Sequence, residues 1–154
     1  MVKRKGVSDS PCPVARALDV IGDRWTLLII RDAFDDVRRF GAFQASLGIA
    51  RNILADRLRS LEDAGILQAV PASDGSAYQD YVLTPRGESL FPVIVALRQW
   101  GEGHLYARGE AHSTLMERAT GKPVQRLMLE GRNGKPLSPQ ETYVKKLLAN
   151  VPPQ

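Results

Sequence analysis

The chain has 154 residues, 44% of them hydrophobic and 25% charged, with a formal net charge of +4. That is length for one domain and an appendage, and a composition that excludes fibrous and disordered classes. No apolar run reaches the length of about 18 residues that a membrane span needs, and the start MVKRKGVSDSPCP has no apolar stretch behind its basic residues. Neither a membrane helix nor a secretory signal is expected, and the expected compartment is the cytoplasm.

One cysteine, Cys12, and two histidines cannot build an internal disulfide or the usual four-ligand zinc site. No metal or other cofactor is expected. His104 and His112 stand without a spaced nucleophile, and no glycine-rich phosphate loop is present, so an enzyme is not expected either. Residues 1–110 carry 14 Lys and Arg against 14 Asp and Glu, while 111–154 carry 7 against 3. Every basic residue from Arg16 to Arg108 is arginine, whose planar fork suits phosphate and carboxylate. This distribution favours an anionic partner.

Residues 1–11 hold Lys3, Arg4 and Lys5 without apolar periodicity and are expected to form a flexible basic arm. From Pro13 the spacing of Val14, Ala17, Leu18 and Ile21 predicts a helix, with Pro13 in the first turn and Gly22 at the end. Asp23 can cap the next helix, RWTLLIIRDAF, which is apolar nearly all round and should be central; Trp25 is taken as a core residue. Asp35 to Val37 make a turn, and Arg38, Arg39 and Phe40 are short enough for a minimal strand.

The stretch GAFQASLGIARNILADRLRSLEDAG, from Gly41 to Gly65, reads as two helices joined at Gly48 and Ile49. Leu54, Leu58 and Leu61 follow the i, i+4, i+7 rule and span only about 60° of a helical wheel, so this seam faces a core together with Phe43 and Leu47. Arg57 lies near the seam and is expected to be partly buried support. The pattern is a helix-turn-helix. Arg51 and Asn52 stand in the first turn of its second helix, where side chains reach base edges; Arg can fork to guanine and Asn can pair with adenine. A solvated face with Asp56–Arg59 and Arg59–Asp63 pairs is the plainer interpretation.

Ile66–Val70 and Asp80–Leu83 read as strands around the turn signals Pro71, Asp74 and Gly75, a hairpin directly after the reading helix. Thr84-Pro85 opens a helix expected to run to about Ala107, weakened near its end by Gly101 and Gly103. Beyond His112 a short helix, an extended piece Val124–Leu129 and a turn at Gly131 to Gly134 suggest a small hairpin. No internal repeat is read along the chain. The expected division is an arm over 1–11, a winged-helix domain over 12–110, an appendage over 111–149 and a disordered tail over 150–154.

The runs CPVARALDVIGDRWTLLIIRD, RRFGAFQASLGIARNILADRLRSLEDAGIL and YVLTPRGESLFPVIVALRQWGEGH resemble the HxlR-type winged-helix transcription regulators over Cys12 to His104. The resemblance implies an α+β, mostly α, winged helix-turn-helix with long N- and C-terminal dimerisation helices, here Pro13–Ile21 and Pro85–Ala107, and a small C-terminal β-hairpin appendage. It implies a homodimer on inverted-repeat double-stranded DNA, with Ile49–Ala64 as recognition helix and Pro71–Gln79 as wing. Arg38 and Arg39 are expected on phosphate; Gln44, Arg51, Asn52, Ala55, Arg59, Ser76 and Tyr78 complete the expected DNA-facing set. Relatives with a cysteine at the place of Cys12 respond to quinones or thiol oxidants, so Cys12 is the candidate redox-sensing residue, at a helix start with Arg16 one turn on; an inert thiol packed at the dimer interface is the plainer alternative. A small-molecule or oxidant effector is thereby implied.

Three departures limit what is carried over. Ala50 replaces the Ser or Thr that usually caps the recognition helix. The wing has no Lys or Arg from Gln68 to Tyr81 and contains Asp74 and Asp80, so its DNA contacts should be weak. Some relatives carry a C-terminal zinc ribbon, and the Gly131–Gly134 turn has that outline without cysteine. The acidic wing and neutral core also keep open an alternative, a winged-helix module that binds protein rather than specific DNA.

Overall fold

A computed structural model describes residues 7–147, so expectations for residues 1–6 and 148–154 lie outside the described residues. The chain divides into two compact units, Met1–Ile94 and Val95–Gln154. In the first, a 3-10 turn Val7–Asp9 precedes α1 (Pro13–Ile21), α2 (Arg24–Phe34), α3 (Phe40–Leu47), α4 (Arg51–Asp63), strands β1 (Leu67–Pro71) and β2 (Gln79–Leu83), and α5 (Pro85–Glu88). The core includes most residues the periodicity pointed to: Ile29, Phe43 and Leu54 are fully buried, as is Ile30, with Leu58 and Leu61 each 1% exposed, whereas Leu28 is half-buried. Trp25 and Leu47 pack against it partly buried.

Local chemistry sets the element ends. The Asp23 carboxylate accepts from the Thr26 amide at 3.1 Å and caps α2. Asp36 takes a left-handed φ of 62° in the turn after α2, a conformation an aspartate tolerates. Gly48, at φ 61°, lets α3 stop and α4 start within three residues. After α4 the Ile66 amide bonds the Leu61 carbonyl and the Gly65 amide the Glu62 carbonyl, both at 2.9 Å. This pair of bonds is a Schellman stop with Gly65 at φ 72°.

Asp23 also accepts from Arg57 Nε at 2.7 Å, so Arg57 ties α4 to the start of α2 as supporting structure. The Arg57 bond, ahead of the Thr26 amide, holds the Asp23 carboxyl below the usual carboxylate range. A depressed folded value means this stabilisation is complete above the unfolded value of about 3.9 and is lost as pH falls through the lower folded one. Asp23→Ala removes a cap and a half-exposed ion pair and should cost about 1–2 kcal/mol near neutral pH. Urea titrations at pH 7 and in strong acid check it: the parent–variant gap should narrow in acid, and a gap that widens refutes the assignment.

The strands pair antiparallel with Leu67 opposite Leu83 and Ala69 opposite Tyr81. A two-stranded hairpin is marginal alone. Burial of Leu67 and Ile66 and a bond from the Tyr81 amide to the Arg38 carbonyl at 2.7 Å fix it to the helices. Arg38–Phe40 therefore does not form the expected strand; its Arg38 carbonyl accepts one bridge-like bond, and Phe40 already begins α3.

Thr84 caps α5 by accepting from the Gly87 amide at 3.0 Å while its hydroxyl donates to the Gly65 carbonyl. Gly87 sits so close to Ile66 and the end of β2 that a Cβ would lie 2.2 Å from the Ile66 carbonyl oxygen and 2.9 Å from Leu83 Cδ2. Gly87→Ala should therefore cost about 1–3 kcal/mol by overpacking. Circular dichroism melting should show Tm lowered by roughly 5 °C or more, scaling at about 4–8 °C per kcal/mol for a unit this small. An unchanged Tm would mean that this junction yields freely.

The single long C-terminal helix expected from Pro85 is two helices: α5 ends at Glu88 and α6 runs Phe91–His104. Pro92 is the cause. It has no N–H, and its ring would clash with the carbonyl of Glu88 in a continuous helix, so the chain breaks at Ser89 and Leu90.

In the second unit, polar clamps hold the chain that follows α6. Arg98 Nη1 donates to Ser113 Oγ at 2.9 Å, Gln99 Nε2 donates to the Gln125 carbonyl at 3.1 Å, and the Leu127 amide donates to Gln99 Oε1 at 2.7 Å. The short helix expected near His112 is absent; beyond α6 the regular structure among the described residues is one 3-10 turn, Pro139–Glu141. The turn at Gly131–Gly134 forms as a loop closed by one bridge, Glu130 to Pro136, and a second such loop precedes it, closed by Met116 to Pro123.

Candidate nucleic-acid interface

The start of α4 is exposed. Ala50 stands at the N-cap with no side-chain bond, so the first-turn amides of α4 lack a side-chain acceptor from the cap position. Arg51 and Asn52 are both exposed beside those amides. The Arg51 guanidinium lies over the Phe40 ring, 5.3 Å from its centroid, an aromatic platform that restricts the arginine without neutralising it. Arg59 is exposed further along α4, and Ala55 is half-buried.

A groove of about 740 Å³ runs between the helix-turn-helix and the hairpin, lined among others by Arg39, Phe40, Gln44, Arg51 and Tyr78. It brings together four of the expected site residues. Gln44 does not stand free, because its Nε2 lies 3.5 Å from the Ile49 carbonyl and braces the turn. Tyr78 is 71% exposed at the wing.

The two arginines expected on phosphate have different environments. Arg38 is exposed and 3.6 Å from the Asp36 carboxylate, outside the groove. Arg39 is engaged by the wing: it pairs with Asp74, reaches Asp80 at 3.4 Å and Ser76 Oγ at 3.4 Å, and lies over the Tyr78 ring at 5.5 Å. The Ser76 amide first, and Arg39 after it, hold the Asp74 carboxyl far below the usual range. The acids of the wing thus serve as anchors for Arg39, a partnership across 35 and 41 residues that composition alone presented only as missing positive charge.

Cys12 is exposed at the N-cap of α1 and does not line this groove. Its amide donates to Ser10 Oγ at 3.1 Å, and Arg16 Nε donates to the Ser10 carbonyl. No described helix is long and apolar enough to cross a membrane.

A helix-turn-helix followed directly by a hairpin, with the second helix exposed at its start, defines a winged-helix protein. The chain belongs to the HxlR-like helix-turn-helix family, whose model matches residues 20–108. The HTH-type transcriptional regulator Rv3095 of Mycobacterium tuberculosis is 49% identical over 92 residues, 60% of this chain and 58% of that relative. The chain thus spans less than two thirds of the length of its mycobacterial relatives. The crystal structure of PA1607, solved as a candidate transcription factor, is 52% identical with a TM-score of 0.86 and covers 90% of this chain and 97% of its own. The reduced form of the redox regulator HypR is 30% identical with a TM-score of 0.56, over 61% of this chain and 94% of its own.

Proposed function

We propose that this chain is a sequence-specific DNA-binding transcription regulator that acts as a homodimer on an inverted repeat. The observation that carries it is the start of α4: exposed Arg51 and Asn52 beside first-turn amides that Ala50 cannot cap. A DNA phosphate is the acceptor those amides suit, since a helix N-terminus favours an anion, and the same docking places both side chains at base edges. Ala55 and Arg59 follow along the helix, with Ser76 and Tyr78 on the wing. Arg38 contributes a sequence-independent phosphate contact, whereas Arg39 acts by holding the wing.

Dimerisation is supported by apolar side chains left in solvent. Val14 and Leu18 on α1 are 66% and 58% exposed, and Leu97 and Trp100 on α6 are 50% and 59% exposed. A second copy covers such stripes, and a two-fold dimer reads half-sites about 34–36 Å apart. Selection from a random duplex pool followed by footprinting should return an inverted repeat of that spacing. Failure to select any sequence, with binding insensitive to salt, would favour a protein partner instead.

Cys12 is the proposed sensor, supported by its exposure and by the likeness to HypR. No second cysteine exists in the chain, so the resolving thiol is Cys12 of the second copy or a small thiol. Diamide should weaken DNA binding of the parent by about 5- to 150-fold, the usual range of coupling between sites, and leave Cys12→Ser unchanged. Equal loss in both proteins, or in neither, removes Cys12 from the mechanism.

A further inference from the structure

The two loops of the second unit are one motif used twice. Leu115 to Val124 and Leu129 to Leu137 share the order Leu, two residues, Arg, then Thr or Asn, Gly, Lys, Pro and an aliphatic residue, with Ala119 extra in the first. Their bonds correspond one to one. Outer amides of Val124 and Leu137 donate to the carbonyls of Leu115 and Leu129 at 3.0 and 2.9 Å, and inner amides of Glu117 and Gly131 donate to Lys122 and Lys135 at 2.8 and 2.7 Å. Gly121 and Gly134 both take positive φ, 64° and 76°. The Lys122 amide bonds Thr120 Oγ1 at 3.3 Å and the Lys135 amide bonds Asn133 Oδ1 at 3.0 Å.

Each loop so built carries one arginine and one lysine, Arg118 with Lys122 and Arg132 with Lys135, all four exposed. None of them forms an ion pair among the described residues, unlike Arg39 and Arg57 of the first unit. The closing bonds use backbone and the Thr120 and Asn133 side chains, so the loop geometry does not need the cations. Residues 1–110 are neutral, and the excess positive charge of the chain lies in residues 111–154.

We infer that the twin Arg–Lys loops are a second DNA contact, gripping backbone phosphates without reading sequence. The inference rests on the DNA-binding function proposed above and assigns its electrostatic part to a different unit from the one that reads bases. Long, exposed cations on rigid turns deliver what phosphate contacts need, and each neutralised phosphate steepens the salt dependence of log K by about 0.9.

The test compares the full chain with the quadruple variant Arg118→Gln, Lys122→Gln, Arg132→Gln, Lys135→Gln. Binding is measured by fluorescence anisotropy on the parent's selected duplex and on a random duplex of equal length, across a salt series. The expected result is a slope lowered by about 2 to 3.5 per chain and affinity reduced on both duplexes alike, with the selected-to-random ratio retained. The charge-preserving swap, Arg118→Lys, Lys122→Arg, Arg132→Lys, Lys135→Arg, should restore the parental slope. If it does not, or if the Gln variant keeps the parental slope, the loops are not phosphate contacts and the inference is overturned while the function proposed above stands. A parent that shows no salt-dependent DNA binding overturns both.

Discussion

Phe43→Ala is expected to destabilise the first unit by about 3–5 kcal/mol, because a large aromatic side chain with no solvent exposure leaves a void that its neighbours fill only in part. Domains of this size are stable by only about 5–15 kcal/mol, so the variant forfeits about a fifth or more of the total. Phe43 lies on α3, in the same buried cluster as Leu54, Leu58 and Ile49. The cavity therefore opens under the helix that carries Arg51 and Asn52, and DNA affinity should fall together with stability even though Phe43 touches no nucleic acid. Urea unfolding and DNA titration of the same preparations check this, with Phe43→Leu as a smaller deletion. A variant as stable as the parent would show that α3 is not seated on the core as described.

The helix-turn-helix was legible because its signals are local and agree with one another. A seam of Leu54, Leu58 and Leu61 at helical spacing fixes which way α4 faces, and a glycine at Gly48 marks a turn that needs a left-handed residue; the seam is buried and Gly48 has φ 61°. Arg57, only about 60° round the wheel from Leu54, follows from the same geometry. The Arg39 cluster was not legible in this way. Whether an arginine meets phosphate or carboxylate depends on where a hairpin tip more than thirty residues later returns, and neither periodicity nor turn chemistry encodes that approach.

Two other features were present in the residues but outweighed. Pro92 breaks the C-terminal helix by its missing N–H, yet the apolar spacing of Leu90, Phe91, Ile94 and Leu97 on either side reads as continuous. The paired loops escape a search for a fixed repeat because Ala119 makes the first one residue longer, and a tight turn absorbs such an insertion without changing its closing bonds. The apolar stripe of α1 shows a different limit. Helical spacing says that Val14 and Leu18 share a face, but only the folded unit shows that this face points to solvent while Ile21, at 8% exposure, joins the core.

Arg51→Ala and Asn52→Ala should each weaken binding to the selected operator by about 1–3 kcal/mol, the worth of a good base contact, and the double variant by more than either. The loss should be selective. Both residues are exposed at the first turn of α4 and neither belongs to the buried core, so folding stability should stay within about 0.5 kcal/mol of the parent, as for surface substitutions in general. Arg51 rests on the Phe40 ring, so Phe40→Leu should reproduce part of the Arg51→Ala loss by freeing the guanidinium while leaving its charge. Random duplex should be bound nearly as well by both single variants as by the parent, so the selected-to-random ratio collapses and the salt slope falls by no more than about one, the share of one phosphate. Variants of the twin loops are expected to do the opposite, lowering the slope and keeping the ratio. Anisotropy titrations of both sets on both duplexes separate the two surfaces. If Arg51→Ala and Asn52→Ala keep the parental ratio, bases are read elsewhere than at the start of α4.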